Sequence, residues 1–129
     1  MTLPKLDEKP KPISVKSRKQ KARNLQNAIR DTIQRTFHLS EADVRATPMG
    51  VKGPDVQLSS EAKRHFNFAV ECKAQNGLNV WDCLKQAEEN AMLDASRPVP
   101  LLVFKRDRSD IYVALKWDVF MAIINSGRR

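Results

Sequence analysis

Asp55, which follows Gly53-Pro54, and the Glu71-Lys73 pair, which flanks Cys72 in an apolar run, are the residues of this sequence best suited to chemistry. Two carboxylates can hold a divalent cation through oxygen. Mg2+ keeps several of its waters, so Asp55, Glu71 and a backbone carbonyl suffice as protein ligands. Hydrolysis of a phosphodiester needs such a cation, an activated water and charge stabilisation at the phosphate, and Lys73 can orient or deprotonate the water. Mg2+ is the expected cofactor, with Mn2+ able to substitute.

These residues also have structural readings. Asp near Gly and Pro is a common turn residue. Glu71 and Lys73 could be an ordinary solvent-facing strand pair, which contributes little stability. The strand pattern bears on the choice. In Phe68-Ala69-Val70-Glu71-Cys72-Lys73, alternate side chains face opposite ways, so Phe68, Val70 and Cys72 share one face while Glu71, Lys73 and Gln75 share the other. Glu71 and Lys73 then lie about 7 Å apart along the strand.

The elements that must position this trio follow from periodicity. From Ser17 to about Phe37, the residues Ala22, Leu25, Ile29, Ile33 and Phe37 make a helical stripe, with Ser17 offering an N-cap. Ser40 to Asp43 reads as a capped turn, Val44 to Pro48 as a short strand, Gly50 and Gly53 as a tight turn, and Val56 to Leu58 as a resumed strand. A helical turn at Ser59-Ser60-Glu61 precedes the Phe68 strand. A helix over Asn79 to about Leu93 buries Val80, Leu84, Ala87 and Ala91. Leu101 to Phe104 suits a central strand, Ile111 to Leu115 adds another across the polar Lys105–Asp110 turn, and Trp117 to Ile124 is an apolar helix. This order implies an α/β fold, a small mixed β-sheet flanked by helices.

Two glutamines join the candidates. At about 100° per residue, Gln26 falls inside the apolar stripe of the first helix, so its amide must find a partner. Gln86 sits on the flank of the later helix, where a polar residue needs no special explanation. His38 and His65 have no third partner in the sequence to suggest a metal ligand or base, and no role is assigned to them.

Gly53-Pro54-Asp55, fifteen intervening residues and Glu71-Cys72-Lys73 in an apolar strand resemble the signature of PD-(D/E)xK nucleases, which have a restriction-endonuclease-like fold. With Gln86 in Lys85-Gln86-Ala87-Glu88, residues 17–104 resemble archaeal-type Holliday junction resolvases and their phage-encoded relatives. In that family a glutamine on the helix after the catalytic strand often lies beside the metal site, and Gln86 is the matching position. The first helix often carries a glutamate that completes the site. Here Lys21-Ala22-Arg23-Asn24-Leu25-Gln26-Asn27 places Gln26 there, which contributes no charge. The resemblance implies a catalytic set of Asp55, Glu71, Lys73, Gln86 and Gln26 in one nuclease domain over residues 17–129. It further implies a structure-selective, Mg2+-dependent endonuclease acting on branched DNA in recombination, and a homodimer, since cutting two opposed strands of a four-way junction needs two sites. The apolar C-terminal helix is a candidate part of its interface.

Charge agrees with a polyanionic partner. The chain of 129 residues has 23 basic and 15 acidic side chains, a net charge of +8. Residues 1–23 hold eight basic and two acidic side chains, so most of the excess lies there. Residues 1–16, with three prolines among lysines, read as a disordered basic arm. Lys16, Arg18, Lys19, Lys21 and Arg23 are the expected DNA-binding residues. Their spread suits backbone tracking rather than base reading. A general duplex or single-strand nuclease of the same fold, and a non-catalytic nucleic-acid-binding module, stay open as alternatives. Two cysteines, Cys72 and Cys83, read as small core residues, and Trp81 and Trp117 as partly buried ones. No apolar stretch reaches membrane-spanning length, so a cytoplasmic protein without a membrane partner is expected, in the host cytoplasm if phage-encoded.

Overall fold

The computed structural model describes residues 14–127. Along the chain run α1 (Val15–Phe37), β1 (Val44–Ala46), β2 (Val56–Leu58), α2 (Ser60–His65), β3 (Phe68–Ala74), α3 (Val80–Ala91), β4 (Val99–Lys105), β5 (Tyr112–Ala114) and α4 (Trp117–Ser126). The expected α/β class holds. The strands form a two-stranded antiparallel sheet, β1-β2, and a three-stranded mixed sheet, β3-β4-β5. β3 and β4 run parallel, with Glu71 beside Leu102, and β4 and β5 run antiparallel.

Helix α1 starts earlier than expected. Ser14, not Ser17, is the N-cap: its side chain accepts from Ser17 N at 3.1 Å. This satisfies a donor with no partner within the helix, and the following Lys, Arg, Gln and Ala residues favour continued helix. Lys16 is therefore helical rather than part of an extended arm. Most of the arm expected over residues 1–16 lies outside the described residues. At the other end His38 takes a left-handed conformation and its N–H caps Gln34 O.

Sheet alternation divides the interior in two. Val70 and Cys72 on β3 and Leu101 and Val103 on β4 pack with Leu25 and Ile33 of α1, joined by Val44 and Val56 of the small sheet. The opposite face, with Ala69, Glu71 and Leu102, lies under α3, the crossover that parallel strands require. Asn79 caps α3 by accepting from Asp82 N. The stripe that α3 buries is Cys83, Ala87 and Ala91, with Val80 and Leu84 only half-buried. These small side chains bring the helix close to the sheet.

Trp81 and Trp117 are not core residues, contrary to expectation. They are 82% and 70% exposed. Trp81 projects from α3 away from its buried stripe, and α4 buries none of its own residues. Proximity to an apolar stripe does not place a side chain within it.

Candidate active site

Asp55 lies where the two sheets meet. Its N–H donates to Val70 O at 2.7 Å, and its Oδ2 accepts from Cys72 N at 2.7 Å. One residue thus engages β3 through both main chain and side chain, which holds the carboxylate against the strand. The other side of this junction is fixed by Thr47, whose N–H donates to Asp55 O at 2.9 Å and whose Oγ1 donates to Pro54 O at 2.6 Å. The intervening loop turns through Gly50 and Gly53, both at positive φ (83° and 120°). At Gly53 a side chain would meet no neighbour, so the demand for glycine there is conformational.

Glu71, next to Cys72, is 3% exposed. Lys73 Nζ stands 3.5 Å from its Oε1, and Asn90 Nδ2 donates to its Oε2 at 2.9 Å. The pair that strand alternation placed on one face is therefore in contact, but under α3 rather than in open solvent. Burial raises the pKa of Glu71, and the Asp55 charge raises it further, while Asn90 and Lys73 act in the opposite direction. Burial likewise raises the pKa of Asp55, against the Cys72 amide, the Gln26 amide and the Lys73 charge. Cys72, between them, is buried, and its thiol is pushed far above its ordinary value, so it is not a nucleophile.

Gln26 is half-buried on α1 and donates to the Asp55 carboxylate. Among the described residues no buried side-chain nitrogen or oxygen lacks a hydrogen-bond partner, as the position of Gln26 within an apolar stripe requires. Gln86 is exposed on α3 and lines the same open cleft as Asp55 and Glu71. Lys52, Asp82, Lys85 and Glu89 surround that cleft. All five candidates thus converge on one end of β3.

Asn90 and Thr47 were not singled out from sequence. Asn90 left a trace, because it stands inside a helix, where Asn is disfavoured, one turn after Gln86. Thr47 left none, since its role depends on a contact across the Gly50–Gly53 turn. Among the described residues no group of three or more His, Cys, Asp or Glu could hold a metal ion, so the acidic donors facing a cation here are Asp55 and Glu71.

The five basic residues separate on α1. Lys19 and Arg23 precede Gln26 by two turns and one turn on the same side of the helix, and Arg23 reaches Met49 Sδ in the loop leading to Asp55, at 3.2 Å. Lys21 turns elsewhere and pairs with Asp107 of the β4–β5 turn at 2.7 Å. Lys16 and Arg18 are exposed on the first turns. His65 stacks on Phe37 with ring centroids 5.8 Å apart, outside the cleft. No helix among the described residues is long and apolar enough to cross a membrane.

No curated protein and no solved structure matches the chain. The family model described as "Phage putative PDDEXK endonuclease" matches residues 19–128, from the basic turns of α1 through α4. With Asp55 and the Glu71-x-Lys73 strand at its centre, the chain belongs to this PD-(D/E)xK family.

Proposed function

We propose that the protein is a Mg2+-dependent, structure-selective DNA endonuclease, of the junction-resolvase kind, that hydrolyses phosphodiester bonds in branched DNA of a phage-encoded recombination process. The observation that carries the reading is the Asp55 carboxylate, fixed to the β3 backbone at Cys72 N beside the buried, lysine-paired Glu71.

The donor set fits a hard divalent cation. Two carboxylates that raise one another's proton affinity in a half-buried cleft are a site short of positive charge, which Lys73 only partly supplies. Asp55 and Glu71 would hold the ion, with Mg2+ retaining waters for the rest of its shell. When bound, the cation supplies Lewis-acid polarisation of the phosphate and lowers the pKa of water.

The remaining work falls to the chain. Asn90 holds Glu71 in one orientation, and Gln26 does the same for Asp55. Lys73 places its ammonium where it can orient the attacking water and offset negative charge developing on the phosphate. The water oxygen bonds to phosphorus, the bond from phosphorus to the leaving sugar oxygen breaks, and that oxygen takes up a proton. Lys19 and Arg23, on the Gln26 side of α1, lead the DNA backbone toward the cleft. Phosphate contacts of this kind carry no sequence information, so selectivity rests on DNA shape.

Cleavage of labelled four-way junction, linear duplex and single-stranded DNA, each with Mg2+ or EDTA, tests the proposal. Symmetric nicking of the junction that EDTA abolishes is expected. Equal cutting of linear duplex would replace the resolvase reading with that of a general nuclease, and tight binding without cleavage would replace it with that of a binding module.

A further inference from the structure

Helix α4 is apolar on all sides, yet none of its residues is buried. A helix of this composition is normally enclosed by protein. Trp117, Phe120, Met121 and Ile124 follow helical spacing and form one outward stripe, and Tyr112 and Val113 stand exposed on the neighbouring β5. At 42% to 70% exposure, these six side chains present an apolar area on the order of 700 Å2, above the ~300–600 Å2 of the largest patch on a typical monomer and close to the ~800 Å2 per partner of a standard interface.

We propose that this face, α4 with β5, is the interface between two copies of the chain. Three observations favour a second copy over another occupant. Residues 111–127 carry one lysine and one aspartate, Lys116 and Asp118, so two such faces meet without like-charge conflict, whereas a nucleic acid would find no cationic surface. β5 is an edge strand, and among the described residues nothing pairs with its outer side. Its free backbone groups suit pairing with the same strand of a symmetry mate. The area matches what a two-fold contact needs, in which one patch serves both partners. The cleft around Asp55 and Glu71 is formed by other elements, so each copy keeps its own site.

Sedimentation equilibrium of the full chain at micromolar concentration tests this without reference to cleavage. The expected species has twice the 14.7 kDa mass of the chain, and Phe120→Glu shifts it to the single-chain mass with an unchanged circular dichroism spectrum. A second measurement covers the case in which Phe120→Glu does not fold. In Trp81→Phe, where Trp117 is the sole tryptophan, emission moves to shorter wavelength as concentration rises through the association. A wild-type chain that stays at 14.7 kDa, a folded Phe120→Glu that stays double, or Trp117 emission unchanged while a dimer forms would overturn the proposal.

Discussion

Asn90 Nδ2 donates to Glu71 Oε2 at 2.9 Å, tying the most buried charged side chain of the cleft to the helix that covers it. This bond links the crossover helix to the site. A helix that packed one residue out of register would lose both its small buried stripe and the donor that orients Glu71.

Asn90→Ala should leave the fold intact but release one Glu71 oxygen. Residues that orient a ligand in this way typically contribute about 10- to 100-fold in metal affinity. Calorimetric titration with Mg2+ or Mn2+ should show a loss in that range, and Asn90→Asp should not restore the affinity through the same bond, because a carboxylate cannot donate to Glu71. Unchanged affinity in Asn90→Ala would assign Asn90 to packing alone.

Gln26→Glu should have opposite effects with and without cation. It replaces a donor to Asp55 by a third negative charge, so the melting temperature in EDTA should fall. With Mg2+ present the added carboxylate should tighten binding and increase the stabilisation that the ion confers, since a ligand that binds only the folded chain stabilises it by mass action. Thermal melts across a Mg2+ series measure both.

Asp94, on the loop after α3, is joined to Lys63 of α2 at 2.8 Å, and this bond with the Ser96 N–H holds its pKa down to about 2, against an ordinary 3.8. A depressed carboxylate stabilises the fold above its ordinary pKa and loses that contribution as pH falls through the folded value. Asp94→Asn should therefore melt below wild type at neutral pH, and the difference should close between pH 3.8 and about 2. A constant difference across that range would show that the charge is not responsible.

The DNA-facing residues should differ in effect. Arg23→Ala and Lys19→Ala, on the side of α1 that leads to Gln26, should weaken junction binding, each reducing the salt slope by about 0.9 for every phosphate left unneutralised. Lys21→Ala, which mainly breaks an exposed pair with Asp107, should change the slope less. Binding isotherms at several salt concentrations check this, and equal slopes for all three variants would contradict the division.

Much of this site was legible because local rules sufficed. Two-residue alternation put Glu71 and Lys73 together, and the glycines around Asp55 marked the turn that returns it to β3. Gln26 stood out as a polar residue where the helical stripe required an apolar one. Pairings between residues far apart in sequence left weaker signals. Asn90 meets Glu71 only after the crossover closes, and Thr47 meets Pro54 only once the loop turns. The burial of Glu71 depends on α3 lying over that face, which alternation cannot show. Trp81 and Trp117 were misplaced because periodicity identifies an apolar face but not what covers it, and the choice between Ser14 and Ser17 as cap turned on geometry that both residues could supply.

The central claim rests on Glu71, and cleavage of the four-way junction by Glu71→Gln beside wild type, with Mg2+ and with EDTA, tests it most directly. The substitution removes a carboxylate whose burial raises its pKa, so the variant should melt in EDTA at or above the wild-type temperature, which separates loss of activity from loss of fold. Wild type should cleave only with Mg2+, and a folded Glu71→Gln should be slower by about 10^3-fold or more. Cleavage by the variant at the wild-type rate, or wild-type cleavage that persists in EDTA, would contradict the claim.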